Sequence, residues 1–209
     1  MNKTNSIILR LVLLISAIVV PFIAWGSYYG WNFSKFTIYQ IYPILGITAF
    51  MIMATHFYIS AIDTKIKIYN HKLLSNINYI IVLTLILLHP MLLYYRLFND
   101  GLGLPPFSSI EFVGESLAIF VFLGSFGLIL FLLYELVRHF KNKNIIANNW
   151  LWVIISQYVA MFAIFVHARG LGGITQIGWF KLVWLVTFLG VLLSAFYIIP
   201  AEINKKLKK

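Results

Sequence analysis

The feature that most constrains this chain is a series of six apolar stretches, at about residues 7–28, 38–62, 73–97, 112–137, 150–169 and 178–200. At 1.5 Å rise per residue, about 20 helical residues cross the ~30 Å hydrocarbon core of a bilayer, so each stretch is long enough to span it. Inside that core every backbone N–H and C=O must be satisfied by the protein itself, which leaves helices and closed barrels as the only spanning structures. A barrel is written as short alternating segments, whereas these runs are continuous. The expected fold is therefore all-α, one six-transmembrane-helix bundle. Composition agrees: 61% of residues are hydrophobic and 11% charged, with a mean hydropathy of +0.90, against roughly 25% charged in soluble domains. The connectors are short and carry helix-ending residues, as from Gly101 to Pro106 and from Gly170 to Gly173. They leave no space for a second domain, and no internal repeat or low-complexity segment is visible.

The net charge of +10 reads as a topogenic signal. Cytoplasmic loops of membrane proteins carry the excess of Lys and Arg. Summed on alternate sides, twelve of the 16 cations fall on one side, among them Lys65, Lys67 and Lys72 in one loop and Arg138, Lys141 and Lys143 in another. Lys35, Arg96, Arg169 and Lys181 fall on the other. Both termini are expected in the cytoplasm, odd-numbered spans run outward, and the partner of this charge is the lipid bilayer, with no nucleic acid. The expected location is the cell membrane, multi-pass, which in a prokaryote is the cytoplasmic membrane. Trp25, Trp31, Trp150 and Trp179 fall near span ends, where interfacial aromatics collect. The first stretch has the basic lead and apolar run of a signal peptide, but its cleavage pattern is poor, and it is read as a span. The lysine-rich stub after Pro200 is read as a cytoplasmic anchor.

The chain has no cysteine. Disulfides, thiolate-held zinc, iron–sulfur clusters and covalent heme attachment are thereby excluded, and any metal must be held by nitrogen or oxygen. No phosphate-cradling glycine loop is present, so nucleotide-driven transport is unsupported. A charge at mid-bilayer costs roughly 2.5–3.5 kcal/mol on insertion scales, so ionisable groups that persist there face the protein interior and have a task. Of five histidines, His71 in a loop and His139 beside Arg138 read as interfacial. His56, His89 and His167 lie within spans.

His89 on the third span and His167 on the fifth sit on helices that run in the same direction, both in the outer half. Neutral imidazole ligates iron and tolerates an apolar interior, so this pair is the candidate for bis-imidazole ligation of one b-type heme. Ala160, Ala163, His167 and Gly170 share a helix face, and their small side chains are expected to leave room for a porphyrin. Arg96, two turns beyond His89, and Arg169, two residues beyond His167, are candidate partners for the propionates. Pro90 is expected to perturb its helix next to His89. The expected helix ends put His89 about eight residues and His167 about two residues from the membrane edge, a difference near 9 Å if both helices stop at one plane. His56, near Thr55 and Tyr58, is a candidate for quinone binding, proton relay or a structural hydrogen bond. Glu111 and Glu115 are read as an i, i+4 acidic pair at the start of the fourth helix, favoured there by the helix dipole.

The stretch HKLLSNINYIIVLTLILLHPMLLYYRLF resembles the third helix of the ferric reductase-like transmembrane domain family, and NNWLWVIISQYVAMFAIFVHARG resembles its fifth. That family is a six-helix heme module, shared with the heme-binding subunit of the periplasmic methionine sulfoxide reductase system. Its two-heme members carry an inner and an outer histidine on each of these helices. Here Ser75 and Ile154 stand where the inner ones would be, so the resemblance implies one heme, held by the outer pair. It implies an electron-transfer subunit, expected to lack a fused flavin and nicotinamide module, that takes electrons from a separate flavoprotein reductase or a quinol. They would pass to an outer-face acceptor such as an extracytoplasmic oxidoreductase, with a quinone or a partner-bound flavin as the accessory cofactor. The competing reading is a cofactor-free small transporter or membrane assembly scaffold with structural or proton-relay histidines.

Overall fold

The computed structural model describes residues 3–32, 37–66 and 72–207. Among them the chain forms α1 (Lys3–Tyr28), α2 (Ile38–Lys65), α3 (Lys72–Asn99), α4 (Phe107–Val113), α5 (Ala118–Arg138), α6 (Asn144–Asn148), α7 (Trp150–Leu171) and α8 (Gly178–Leu207), with 3₁₀ turns at Glu115–Leu117 and Ile174–Gln176 and no strand. Six of these helices, α1, α2, α3, α5, α7 and α8, are long and apolar enough to cross a membrane. They coincide with the six apolar stretches. The fourth differs at its start, because Gly114 adopts φ +87°, a region that favours glycine, and cuts off α4 before the span begins. Glu111 and Glu115 consequently lie on different elements on either side of that break. They do not form the expected i, i+4 pair, and both are exposed.

The bundle is built around α2. Of its most apolar window 56% is buried, against 11–28% for the other five spans, because α1, α3 and α8 all pack on it while α5 pairs with α7. Its middle is filled by Phe50, Ile52 and Met53, and Phe50 meets Trp184 of α8 with ring centroids 4.3 Å apart. Large apolar side chains such as Ile15, Ile80, Ile119 and Val186 point outward and are exposed. A water-soluble surface rarely carries so broad an apolar belt; lipid solvates it.

Gln40 fixes how α1 meets α2. Its side chain accepts the Thr37 N–H at 3.0 Å, and its carbonyl accepts the indole N–H of Trp25 at 2.6 Å. Trp25 is thus a core residue, 4% exposed, rather than an interfacial one. Trp31 and Trp179 are exposed near helix ends as expected. The short connectors make successive spans antiparallel. One end of the bundle gathers Arg138, Lys141 and Lys205 around a cavity and is called the basic end below.

Candidate cofactor site

The candidate site begins with a missing side chain. In a helix the carbonyl of residue i points toward residue i+4, and on α2 the residue four beyond Tyr42 is Gly46. The imidazole of His89, from α3, lies in the space this leaves: a Cβ on Gly46 would come within 2.8 Å of His89 Nδ1. From there Nδ1 reaches the Tyr42 carbonyl oxygen at 2.7 Å. A carbonyl cannot donate, so Nδ1 carries the proton. Nε2 is left unprotonated, with its lone pair directed away from the seat.

The same seat occurs again between α5 and α7. His167 Nδ1 lies 2.7 Å from the Phe120 carbonyl oxygen, and a Cβ on Gly124, four residues beyond Phe120, would come within 2.4 Å of that nitrogen. Each histidine is bonded to a carbonyl 47 residues before it. Acceptor, glycine and histidine recur at one offset: 42 to 120, 46 to 124 and 89 to 167, each 78 residues apart. The helix hairpins α2–α3 and α5–α7 therefore contain a structural repeat that the expectation of a repeat-free chain missed. At these positions its sequence trace is an aromatic residue, a glycine four later and a histidine 43 beyond that glycine.

Both histidines line one cavity of about 390 Å³, whose lining also includes Met53, Ile86 and Trp184 and, from helix ends opposite the basic one, Tyr28 and Tyr39. Pockets of a few hundred Å³ hold organic cofactors. α3 continues ten residues past its histidine (89 to 99) and α7 four (167 to 171), and both histidines line the one cavity. Pro90 does not end α3, which runs on to Asn99.

Other expected residues fall elsewhere. Neither Arg96 nor Arg169 lines the cavity. Arg96 is paired with Asp100 at 3.0 Å and lies over the Tyr39 ring. Arg169 donates to the Thr175 carbonyl and to Gln176 Oε1, each at 3.0 Å, and so ties down the turn after α7. The small residues on the His167 face pack instead of opening space: Gly170 is covered by the Phe120 ring, and the backbone of Ala160 abuts Gly127. Close helix packing is the common use of small residues in membrane helices.

A second cavity, of about 860 Å³, opens at the basic end and is lined by His56, Tyr79, Glu135, Arg138 and Trp150 among others. Met53 and Ile86 line both cavities and separate them. The expected neighbours of His56 are committed elsewhere: Tyr58 donates to the Thr187 carbonyl at 2.5 Å and Thr55 to the Ile52 carbonyl at 2.7 Å. His139 is exposed, with Nδ1 on the Glu135 carbonyl oxygen, in keeping with an interfacial role. His71 lies outside the described residues, as do Lys35 and Lys67.

Fold and site together define a six-span helical membrane protein with a paired-histidine cavity toward one end. No protein-family model matches the chain, and neither a curated protein nor a solved structure matches it.

Proposed function

We propose that this chain is a membrane-embedded b-type heme electron-transfer subunit of the kind the ferric reductase-like transmembrane domain exemplifies, whose heme iron His89 and His167 would hold. The observation that carries this reading is the pair of equivalent imidazole seats opening on one cavity. An iron porphyrin would take two imidazole ligands, and a repeated hairpin offers two matching ones. A bare ion asks for more, and among the described residues no group of three or more His, Asp or Glu side chains comes together. When bound, the heme would supply a one-electron ferric/ferrous couple.

The chain's own contribution is orientation, basicity and dryness. Each Nδ1–H···O=C bond fixes the ring and its tautomer and raises the basicity of Nε2, the usual outer-shell arrangement for a metal-ligating histidine. Gly46 and Gly124 let the rings lie against the helix backbone, and Met53 and Ile86 close the cavity toward the basic end. With the basic end in the cytoplasm, the site lies toward the outer face. The His56 cavity then faces the side from which a quinol or a partner-bound flavin would deliver electrons, and an extracytoplasmic oxidoreductase would receive them.

The test is a reduced-minus-oxidised absorption spectrum of the detergent-purified protein. A b-type signal is expected, lost in His89→Ala and in His167→Ala and retained in His71→Ala. Protein from heme-replete cells that shows no Soret band would refute the proposal.

A further inference from the structure

The repeat that places the histidine seats extends into the second cavity. Met53 and Phe131, His56 and Tyr134, and Tyr79 and Gln157 all line it, and each pair has the offset of the seats (53 to 131, 56 to 134 and 79 to 157, each 78 residues). This space therefore lies between the hairpins α2–α3 and α5–α7, as the histidine cavity does. His56 stands ten residues beyond Gly46 on α2, and Tyr134 ten beyond Gly124 on α5, about 15 Å nearer the basic end at 1.5 Å per residue. The two side chains thus reach the cavity at matching depth from the two hairpins. Among the described residues neither the imidazole of His56 nor the hydroxyl of Tyr134 has a hydrogen-bond partner. Both residues are only partly buried, and neither polar group is among the unpartnered atoms shut off from open space. An unpaired polar group inside a membrane protein is costly, so each calls for a partner within the cavity.

The rest of the lining sorts what that partner can be. Arg138 and Lys205 are paired with Glu135 and Glu202 at 2.7 and 2.6 Å, and Lys141 lies over the Trp150 ring. A phosphate or carboxylate entering here would have to break one of these contacts, which disfavours a flavin nucleotide or an acidic lipid headgroup. A neutral imidazole carries one donor and one acceptor, and a phenol hydroxyl can act as either. The pair can therefore hold a ring with an oxygen at each end, whether those oxygens are carbonyls or hydroxyls. Met53, Ile86 and Phe131 supply apolar lining for such a ring, and Met53 and Ile86 also line the histidine cavity, so the two spaces adjoin. Resting on the heme reading above, we infer that this cavity binds the ring of a membrane quinol between His56 and Tyr134, and that this quinol is the electron donor. In going to quinone it gives up two electrons, taken one at a time by heme iron, and two protons, which pass by way of the unprotonated nitrogen of His56 to the basic end.

The test is the affinity of the detergent-purified full chain for a decyl-tailed benzoquinone, measured by titration calorimetry at one fixed detergent concentration, with and without bound heme. His56→Leu and Tyr134→Phe are each expected to weaken binding roughly three- to tenfold, the range of one neutral hydrogen bond. Thr55, bonded to the Ile52 carbonyl and absent from the cavity lining, is the control: Thr55→Val is expected to keep the parent affinity. Since neither polar group has a partner to lose in the empty protein, both variants are expected to unfold at or above the parent's denaturant midpoint, which a structural role would lower. With heme bound, the corresponding quinol is expected to reduce the iron of the parent, and to do so more slowly in His56→Leu. No saturable quinone binding, or equal affinity in the parent, His56→Leu and Tyr134→Phe, would overturn the site, and a Soret band in the same preparation would keep the heme reading. Binding that depends on both residues in a chain that takes up no heme would keep the quinone site and overturn the heme reading together with the donor role.

Discussion

Substituting Gly124 by alanine tests the histidine seat through folding alone, with or without a cofactor. The new Cβ would lie 2.4 Å from His167 Nδ1 and 2.6 Å from Cε1, where ordinary contact begins at 3.4 Å. The imidazole must back away by about 1 Å, which stretches its 2.7 Å bond to the Phe120 carbonyl to about 3.7 Å, beyond hydrogen-bond range. Leaving the buried N–H unpaired costs about 1–3 kcal/mol, and forcing an extra carbon into packed space costs about 1–3 kcal/mol more. The gain in helix propensity from Gly to Ala returns about 1 kcal/mol. The expected net loss is about 1–5 kcal/mol, read from reversible unfolding in detergent micelles. Gly46→Ala should lose less, because its Cβ would stand 2.8 Å from His89 Nδ1. Gly178→Ala, with nothing within 4 Å of its Cβ, should change stability by no more than about 0.5 kcal/mol. A Gly124→Ala chain as stable as the parent, or one less affected than Gly46→Ala, would refute the seat as described.

Three further outcomes are expected. Tyr58→Phe, which removes the 2.5 Å bond to the Thr187 carbonyl between α2 and α8, should destabilise the bundle by about 1 kcal/mol in the same unfolding assay. Asp100→Asn should cost less than about 1 kcal/mol, since the Arg96 pair is 43% and 30% exposed on its two sides. A loss of several kcal/mol would show that the pairings of Asp100 with Arg96 and with the Tyr39 hydroxyl do more than sit at the surface. Trp25→Phe, which removes the 2.6 Å bond to the Gln40 carbonyl, should lower the unfolding free energy by about 1 kcal/mol, whereas an interfacial tryptophan would leave it unchanged.

The six spans were legible because length and hydropathy are local properties, and the bilayer leaves few alternatives to a helix. The pairing of His89 with His167 was legible for a related reason: an ionisable group is expensive in a span, so the few that remain mark the interior. The seats were not. Gly46 and Gly124 read as packing glycines until the structure brings a ring from another helix onto each, 43 residues further along the chain. Counting turns could not show that the side chains of Arg96 and Arg169 take nearer acceptors, Asp100 and the Thr175–Gln176 turn, and do not line the cavity. The Glu111–Glu115 spacing assumed one continuous helix, which the positive φ of Gly114 interrupts.

The central claim is that two imidazoles grip one iron. Titrating the purified chain with hemin and recording near-infrared magnetic circular dichroism tests it most directly. The account predicts saturation at one heme per chain, with the charge-transfer band of a bis-histidine low-spin ferric heme that disappears in both His89→Ala and His167→Ala. Saturable binding that keeps this band in either variant, or no saturable binding by the parent chain, would contradict it.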